Sequence, residues 1–365
     1  MELSLCMIVR NEEKNLEACL LSVQDAVDEI IILDTGSVDA TKDVARRFTQ
    51  HVADYVWTDD FSAARNASMA LATKPYILWL DADDVLEPAH KEKLRMIKDR
   101  LDGSVDAVMM PYHCAFDESG APSLVFERER IVRRAAGFRF ESAVHEAMAV
   151  SGNVIHEDIV IRHTGRHGEQ SAQRNLAIYE KQLAAGMRLK ARDWYYYARE
   201  LKNCGRIGQA IQAFETFLAR EDGWIENRID ACILLGECLE AEGETDRARL
   251  SYLSALGCVA PRAEALCAIG GFCMRMGEYD AAAVWYRAAM LTDAPISAGA
   301  FSCPAARDYI PSMQLCVCYD HLGDTMRAAQ MNERALLIRP GDPAATANRA
   351  YFEKKLGEAE KTANA

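Results

Sequence analysis

Three acidic side chains directly follow a short apolar segment, and no other part of the sequence points so clearly to chemistry. The segment 76–80 has the apolar character of a buried strand, and it is followed by Asp81, Ala82, Asp83 and Asp84. Like charges at this separation repel one another unless a cation lies among them. An Asp-x-Asp pair after a strand suits a hard divalent cation, which takes oxygen ligands and leaves positions open for phosphate oxygens. The alternative is a solvated acidic turn that caps the next helix.

The residues before this segment alternate between apolar strands and amphipathic helices. Strands are predicted at 3–9, 29–33 and 55–57, and helices are predicted at 12–24, 39–48 and 62–72. Continuous apolar strands that alternate with helices favour a parallel sheet with helices on both faces. Ligands of such sheets bind beyond the carboxyl ends of the strands. Asp34 and Asp81 both lie at strand ends, so we expect them at the same edge of the sheet.

Size and charge limit the class of protein. The 365 residues are enough for two domains with separate cores. A net charge of −13 argues against a broad non-specific interaction with nucleic acid, because phosphate binding requires clustered Lys and Arg. No apolar segment approaches the roughly 20 residues that a membrane-spanning helix requires. Met1 leads directly into the first strand without a basic region or cleavage site, so we expect no secretory signal and a cytoplasmic protein.

The 12 cysteines do not have the spacing of a zinc site, because the sequence contains no Cys-x-x-Cys. Nine of them fall after residue 200, inside helical patterns where a small apolar side chain fits. We expect free core thiols in a reducing compartment. A catalytic thiol or a metal site is the alternative.

A repeat replaces the alternating pattern after residue 190. Four glycines are each followed five residues later by an alanine: Gly205 by Ala210, Gly243 by Ala248, Gly277 by Ala282 and Gly323 by Ala328. The two central glycines are 34 residues apart. This period and the small residues resemble the tetratricopeptide repeat. The resemblance implies stacked helix pairs with an extended concave surface for a partner.

The repeat units differ in how well they keep this pattern. The second and third units have the small and aromatic pairs of the family, at Gly236 with Tyr252 and at Gly270 with Tyr286. In the first unit Phe217 replaces a small residue, and in the last unit Asn332 replaces an aromatic. The longer step before the last unit predicts an insertion around residues 294–306.

Four motifs in the first half of the chain resemble those of the inverting glycosyltransferases of family 2, which have the GT-A fold. They lie, in the order and spacing of the family, at residues 7–13, 34–41, 61–66 and 80–84. The resemblance implies an α/β GT-A domain, Rossmann-like with a mostly parallel sheet, over residues 1–170. We expect a connecting helix over 171–190 and an all-α tetratricopeptide-repeat solenoid of about four helix pairs over 191–365.

The resemblance implies a nucleotide-sugar site at these motifs. Asp34 matches the carboxylate that accepts a hydrogen bond from the N3–H of a uracil-type base, with helix capping as the alternative. Arg65 matches a cation near the base and phosphates, with a plain surface arginine as the alternative. The other nucleotide-sugar contacts that it implies are Val9, Asn11, Glu12, Asp81 and Ala82. A turn role is the alternative for Asn11.

The resemblance also implies a metal ion. In the family, the first aspartate of the acidic motif holds the ribose or its bound metal, and the second binds Mn²⁺ or Mg²⁺ directly. Asp81 and Asp83 match these positions, while the alternative for Asp84 is that it opens the next helix. His145 and His163 resemble late histidines that approach the diphosphate or its metal, and a neutral imidazole is a competent ligand. An ordinary core or surface histidine is the alternative for His163.

Inversion needs a base on the acceptor side. The segment 138–146 resembles the late motif of the repeat-bearing subgroup of the family. We assign Glu146 as the general base, which takes a proton from the acceptor while its nucleophile attacks the anomeric carbon. Glu141 is the competing candidate, and a surface carboxylate without a role is the alternative for either residue.

Together these resemblances predict a metal-dependent hexosyltransferase that moves a sugar from a UDP-sugar to an acceptor. Bacterial enzymes with the same two domains include peptide glycosyltransferases, so we expect a peptide or protein acceptor that docks on the repeats. A saccharide or lipid-linked acceptor in envelope glycan synthesis is the second candidate, and a catalytically dead repeat scaffold is the third. The repeats are also candidates for a homodimer interface.

Overall fold

The computed structural model describes residues 1–165, 169–257, 260–294, 297 and 299–363, and the chain divides into two compact units. The first unit contains Met1–Cys204 and Ala298–Phe301, and the second contains Gly205–Ser297 and Ser302–Ala365. No helix within the described ranges combines the length and the apolar character needed to cross a bilayer.

The first unit is built on a mixed β-sheet. Its strands are β1 (Leu3–Val9), β2 (Glu29–Asp34), β3 (Val52–Asp54), β4 (Tyr76–Trp79), β5 (Asp84–Val85), β6 (Ala107–Phe116), β7 (Pro122–Arg133), β8 (Phe140–Glu141), β9 (Ala147–Met148), β10 (Val154–His156) and β11 (Ile161–His163). The sheet order is β3-β2-β1-β4-β7-β6-β11-β5, with β10 beside β6, and β8 pairs with β9 in a separate ribbon. Strands β1 to β4 run parallel, whereas β7 is antiparallel to both β4 and β6. The α/β fold class predicted for this half is confirmed.

The register of the central strands brings two acidic positions to one edge of the sheet. Val9, the last residue of β1, pairs with Asp34, the last residue of β2. On the other side of β1, Trp79 pairs with Cys6, so the chain leaves β4 at the same carboxyl edge just before Asp81. Parallel strands therefore place both aspartates where ligands of such sheets bind.

The prediction for the third strand was wrong by three residues. Strand β3 covers Val52–Asp54, and its first residue pairs with Ile32 of β2. The predicted residues 55–57 lie outside the strand, and Val56 is largely exposed. Local apolar content favoured the later segment, but strand formation depends on which segment can pair with a neighbour.

Helices pack on both faces of this sheet. The helices of the first unit are α1 (Leu16–Val23), α2 (Thr41–Arg46), α3 (Phe61–Ala70), α4 (Pro88–Ile97), α5 (Glu169–Ala184) and α6 (Ala191–Asn203). Side chains of α1, α2 and α4 share one core cluster with Leu5 and Met7 of β1. On the opposite face, Met69 of α3 packs with Cys6 and Trp79. The alternation along β1 thus separates two cores, because successive strand residues point to opposite faces.

Within the described residues, the second unit is built from α-helices. Its helices are α7 (Ile207–Leu218), α8 (Ile225–Ala241), α9 (Thr245–Ser254), α10 (Ala263–Arg275), α11 (Tyr279–Leu291), α12 (Tyr309–His321), α13 (Thr325–Ile338) and α14 (Pro343–Ala363). Gly243, Gly277 and Gly323 lie between the helices of successive pairs, with φ of 77°, 75° and 80°. Glycine adopts this left-handed conformation without the steric cost that other residues incur. The glycines that defined the repeat in the sequence are therefore the turns within the helix pairs.

The small and aromatic residues of the repeat pack directly against each other. A Cβ atom at Gly236 would lie 2.8 Å from the ring of Tyr252, and one at Gly270 would lie 2.9 Å from the ring of Tyr286. In the last pair, Asn332 takes the place of the aromatic, is fully buried, and donates to the carbonyl of Ala345 at 2.8 Å. The all-α tetratricopeptide-type architecture predicted for the second half is confirmed.

The insertion predicted around residues 294–306 lies partly outside the described residues, and Pro295 is among those outside. Its described end contains a short 3₁₀ helix, Pro304–Arg307.

Helices α5 and α6 belong to the first compact unit. The division of the chain into domains at residues 170 and 190 stays a prediction.

The cysteines in the described part of the chain are not joined in disulfides, and most are buried. Burial raises the pKa of Cys6 to about 12 and raises the pKa of Cys19 well above its ordinary value. Because the thiolate is the nucleophilic form, these two side chains are poor nucleophiles. The free core thiols predicted from the sequence match this arrangement.

Candidate active site

Asp34 ends β2 with one carboxylate oxygen satisfied and the other free. The side chain is fully buried, and its Oδ1 accepts hydrogen bonds from the backbone N–H groups of Gly36 at 2.9 Å and Ser37 at 2.8 Å. Its buried Oδ2 has no hydrogen-bond partner among the described residues. Buried polar atoms are almost always paired, so an unpaired acceptor at a ligand-binding edge is a candidate ligand contact. The two backbone bonds orient this acceptor.

The loops that follow β1 and β2 are tied together beside Asp34. Asn11 has φ of 56°, and its backbone N–H donates to Ser37 Oγ at 2.9 Å. Its Oδ1 accepts from the N–H of Val38 at 2.9 Å. Since Asn tolerates the left-handed region better than most residues, the turn is compatible with this side chain. The turn role weighed for Asn11 and a place in a nucleotide pocket are therefore compatible.

Val9 and Glu12 complete this wall of the site. The carbonyl of Val9 accepts from the backbone N–H of Thr35, and the backbone N–H of Glu12 donates to Thr41 Oγ1 at 2.7 Å. Burial, together with the negative charge of Asp83, raises the pKa of Glu12. The charges of Glu12 and Asp83 therefore interact, which places the first motif near the acidic motif.

Arg65 of α3 connects the acidic motif to the candidate base. Its Nη2 lies 2.6 Å from Asp81 Oδ1, and its Nε lies 2.5 Å from Glu146 Oε1. The guanidinium carbon also lies 4.8 Å from the centroid of the Trp79 ring. Burial acts to raise the pKa of Asp81, but the charges of Arg65 and Arg130 outweigh it and hold that pKa well below its ordinary value. Arg65 is therefore a buried bridging cation and not a plain surface arginine.

A separate group of candidate metal ligands consists of Asp83, Asp84 and His163, and it is called the donor group below because each residue can donate a lone pair to a metal ion. Each offers a ligand atom, and these atoms lie within 4.8 Å of one another. The group forms because β11 pairs antiparallel with β5 and places His163 opposite Asp84. His163 Nδ1 lies 3.4 Å from Asp83 Oδ1 and 3.5 Å from Asp84 Oδ1. Burial acts to lower the pKa of His163, but the two carboxylates outweigh it and raise the pKa to about 10.

Asp84 is held more firmly than its neighbours. It is fully buried, its Oδ1 accepts from the Tyr112 hydroxyl at 2.9 Å, and its Oδ2 lies 2.9 Å from Arg130 Nη1. The same Oδ2 accepts from the backbone N–H of Asp81 at 3.0 Å. Helix α4 begins only at Pro88, so the alternative that Asp84 opens this helix was wrong. Tyr112 and Arg130 were not predicted as site residues; the only sequence signal for Arg130 is a charge beside the apolar residues that end β7.

Gly165 leaves room beside two of these donors. A Cβ atom at Gly165 would lie 1.9 Å from Asp83 Oδ2 and 3.0 Å from His163 Nε2. Only a residue without a side chain allows these two donors to keep this arrangement. Carboxylate oxygens suit Mg²⁺ or Mn²⁺, and imidazole suits a transition ion. The residues therefore fit the divalent cation that the sequence predicts.

Asp81 and His145 lie outside this donor group, although we also expected them near the metal. Asp81 pairs with Arg65. His145 Nε2 lies 2.6 Å from Glu200 Oε1, and the imidazole stacks on Tyr196 with ring centroids 4.1 Å apart. Among the described residues, the candidate metal ligands that lie close together are therefore Asp83, Asp84 and His163, without Asp81 or His145.

The two candidate bases lie in different surroundings. The Glu141 side chain is 70% exposed and pairs with Lys190 at 2.7 Å. The Glu146 side chain is only 11% exposed and lies against Arg65. Since Arg65 also contacts Asp81, Glu146 is adjacent to the acidic motif. The geometry favours Glu146 over Glu141 as a group that acts on a substrate.

The first unit matches a known enzyme family. Residues 4–149 match the family model for glycosyl transferase family 2. The matched segment contains all four motifs that carry the resemblance in the sequence, and it is similar to this family of glycosyltransferases.

Two curated relatives extend the similarity along the chain. A TPR repeat-containing protein from Synechococcus elongatus is 32% identical over 296 residues, which cover 79% of this chain and 66% of that protein. The SPbeta prophage-derived glycosyltransferase SunS from Bacillus subtilis is 28% identical over 246 residues, which cover 63% of this chain and 56% of that protein. The chain thus spans only part of the length of either relative.

Among solved structures, the C-terminal part of a TPR repeat-containing protein from Cytophaga hutchinsonii is 14% identical and has a TM-score of 0.42. The match covers 50% of this chain and 65% of that chain.

Proposed function

We propose that this protein is a metal-dependent inverting glycosyltransferase that uses a UDP-sugar donor. The observation that carries the proposal is the buried, unpaired Oδ2 of Asp34 at the carboxyl edge that also bears the acidic motif. A fixed acceptor at this position suits the N3–H of a uracil base. Cytosine has no proton at N3, so the same acceptor favours UDP over CDP.

The donor group Asp83, Asp84 and His163 would hold Mn²⁺ or Mg²⁺. The cation would neutralise the diphosphate as its charge grows on departure. Asp84 would be the rigid ligand of this group, because Tyr112 and Arg130 already hold its two carboxylate oxygens in place. Asp83 supplies a carboxylate beside the open space at Gly165.

Glu146 is proposed as the general base. It takes a proton from the acceptor while the acceptor nucleophile forms a bond to the anomeric carbon. On the opposite face, the bond from that carbon to the diphosphate oxygen breaks, and its electron pair leaves with UDP. Arg65 orients the Glu146 carboxylate through Nε, and a positioned base of this type contributes about 10²–10⁴ to the rate.

For the acceptor we propose a peptide or protein that binds the helical repeats. Support comes from the class of the second unit, because stacked helix pairs of this type provide extended binding surfaces. A saccharide or lipid-linked acceptor in envelope glycan synthesis is the second candidate. Removal of residues 205–365 distinguishes them, since the peptide hypothesis expects acceptor transfer to be lost while UDP binding to the first unit remains. Dimerisation through the repeats and a cytoplasmic location stay predictions.

The composition of the site argues against the third candidate, a catalytically inactive repeat scaffold. The site keeps its proposed functional side chains in specific contacts. Backbone hydrogen bonds orient Asp34, Arg65 pairs with Glu146, and Asp83 lies in the group of candidate metal ligands. A thermal-shift screen tests the proposal with UDP, CDP and GDP, each with and without Mn²⁺, because a ligand that binds the folded state raises its stability. UDP with Mn²⁺ should give the largest shift, and Asp34→Ala should remove the preference over CDP. Equal shifts for the three nucleotides, or no dependence on Mn²⁺, would contradict the proposal.

A further inference from the structure

The loop that carries Glu146 is held from four directions. Four consecutive backbone carbonyls of this loop each accept a hydrogen bond: Ala143 from Phe61 N at 2.8 Å, Val144 from the Tyr179 hydroxyl at 3.3 Å, His145 from Arg192 at 3.1 Å, and Glu146 from Arg128 at 3.3 Å. The donors come from α3, α5, α6 and β7 respectively. A loop with every successive carbonyl bound is far more constrained than an ordinary surface connection.

This loop also contains backbone strain. Ser142 has φ of 76° and His145 has φ of 52°, both in the left-handed region that non-glycine residues rarely adopt. Such conformations are energetically costly and persist only where the surroundings determine them. The contacts around His145 therefore hold its backbone in this conformation.

The side chain of His145 is the centre of those surroundings. Its Nε2 lies 2.6 Å from Glu200 Oε1, and its ring stacks on Tyr196 at an interplanar angle of 14°. Glu200 is buried in α6, and its Oε1 also accepts from Asn175 Nδ2 of α5 at 2.8 Å. Burial acts to raise the pKa of Glu200, but the hydrogen bonds from His145 and Asn175 outweigh it and lower that pKa. The imidazole is thus bound to an ionised carboxylate that both helices help to place.

We propose that His145 and Glu200 are positioning residues for Glu146, so that Glu200 of α6 and Asn175 of α5 support the catalytic site of the first unit. The pair fixes the backbone at His145 and directs the next side chain toward Arg65. The inference rests on the proposed role of Glu146 as base. It replaces the earlier expectation that His145 touches the diphosphate or its metal.

The test compares Glu200→Ala, Glu146→Gln and the double variant in the full-length chain. The assay follows UDP release from UDP-glucose, UDP-galactose and UDP-N-acetylglucosamine with Mn²⁺ and water as the acceptor. Glu200→Ala should lower kcat by about 10- to 100-fold, because a small displacement of a catalytic group costs about that much. The double variant should be no slower than Glu146→Gln alone, since groups that act as a unit are not additive.

Two readouts separate positioning from other roles. Glu200→Ala should leave the affinity for UDP with Mn²⁺ unchanged in calorimetry, and it should raise hydrogen exchange at the backbone amides of residues 142–147. Glu200→Gln, which keeps a hydrogen-bonding side chain, should restore most of the lost rate. Lys181→Ala is the matched control, because it breaks only a surface ion pair of α5 with Asp59 and should change none of these quantities.

The outcomes that overturn the inference are distinct from those that overturn the proposed function. A full rate in Glu200→Ala, additive losses in the double variant, or a matching loss of UDP affinity would each overturn positioning while Glu146→Gln remains slow. A near-normal rate in Glu146→Gln would overturn the base assignment and this inference with it. If Glu200→Ala does not fold, Tyr179→Phe removes only the hydroxyl that donates to Val144 and is judged by the same criteria.

Discussion

Arg65 donates to Glu146 across 2.5 Å, although the two residues are 81 positions apart in the sequence. The same guanidinium donates to Asp81 at 2.6 Å. A single buried cation therefore links the acidic motif after β4 to the loop that carries the candidate base. Its loss should affect folding and chemistry together.

We expect Arg65→Leu to lower the free energy of unfolding by about 3–5 kcal/mol, because it removes a buried cation and leaves the partly buried carboxylates of Asp81 and Glu146 without their partner. Urea denaturation followed by circular dichroism measures this change. Arg134→Leu, at an exposed arginine beside Lys74 of the same unit, is the control and should be nearly neutral. Equal stability of the two variants would contradict the bridging role.

Gly165→Ala should weaken the cation site without unfolding the protein. The added Cβ would meet the Asp83 carboxylate at 1.9 Å, and that flexible side chain can move aside at the cost of its donor position. We expect the Mn²⁺-dependent affinity for UDP to fall by about 10- to 100-fold in calorimetry, the usual effect of disturbing the supports of a metal ligand. Gly208→Ala is the control, since a Cβ there meets no atom within 4 Å. An unchanged affinity in Gly165→Ala would argue against Asp83 as a ligand.

Glu146→Gln should slow transfer by about 10²–10⁴ and preserve donor binding. The amide keeps the shape of the side chain but cannot take the proton of the acceptor. Steady-state kinetics of UDP release gives the rate, and calorimetry with UDP gives the affinity. Glu141→Gln is the comparison, and a larger loss there than in Glu146→Gln would reverse the assignment of the base.

Metal binding should strengthen as the pH rises. The pKa of His163 is raised to about 10, so its imidazole is protonated near neutral pH and the cation must displace that proton. Below this pKa, the affinity for Mg²⁺ or Mn²⁺ should rise by up to about tenfold per pH unit, because a ligand must be deprotonated to coordinate. Titrations at pH 6, 7 and 8 test this slope, and His163→Gln should flatten it. A slope that persists in His163→Gln would place the displaced proton on another group.

The fold was largely predictable because it depends on local patterns. The apolar runs at 3–9 and 29–33 became β1 and β2, and the glycine spacing identified the turns of the repeat. The third strand was misplaced because its position depends on pairing with β2, which no local pattern encodes.

The site was predictable where a motif is continuous in the chain, and less so where distant residues meet. Asp34 and Asp83 follow strands and were found from that position. Arg130 and Glu200 were missed, because each acts through a partner that is distant in sequence, Asp84 or His145. The expectation that clustered carboxylates require a bound metal cation to relieve their repulsion was incomplete. The structure shows arginines among them, which provide much of that relief.

The full set of partners around Asp84 has a consequence for turnover. Arg130 is buried, and its Nη1 lies 2.9 Å from Asp84 Oδ2. Together with Arg65 beside Asp81, it offsets part of the negative charge of the acidic motif within the protein itself. On the proposed function, a divalent ion would therefore bind and leave together with the nucleotide, because these arginines and not the ion hold the carboxylates in place.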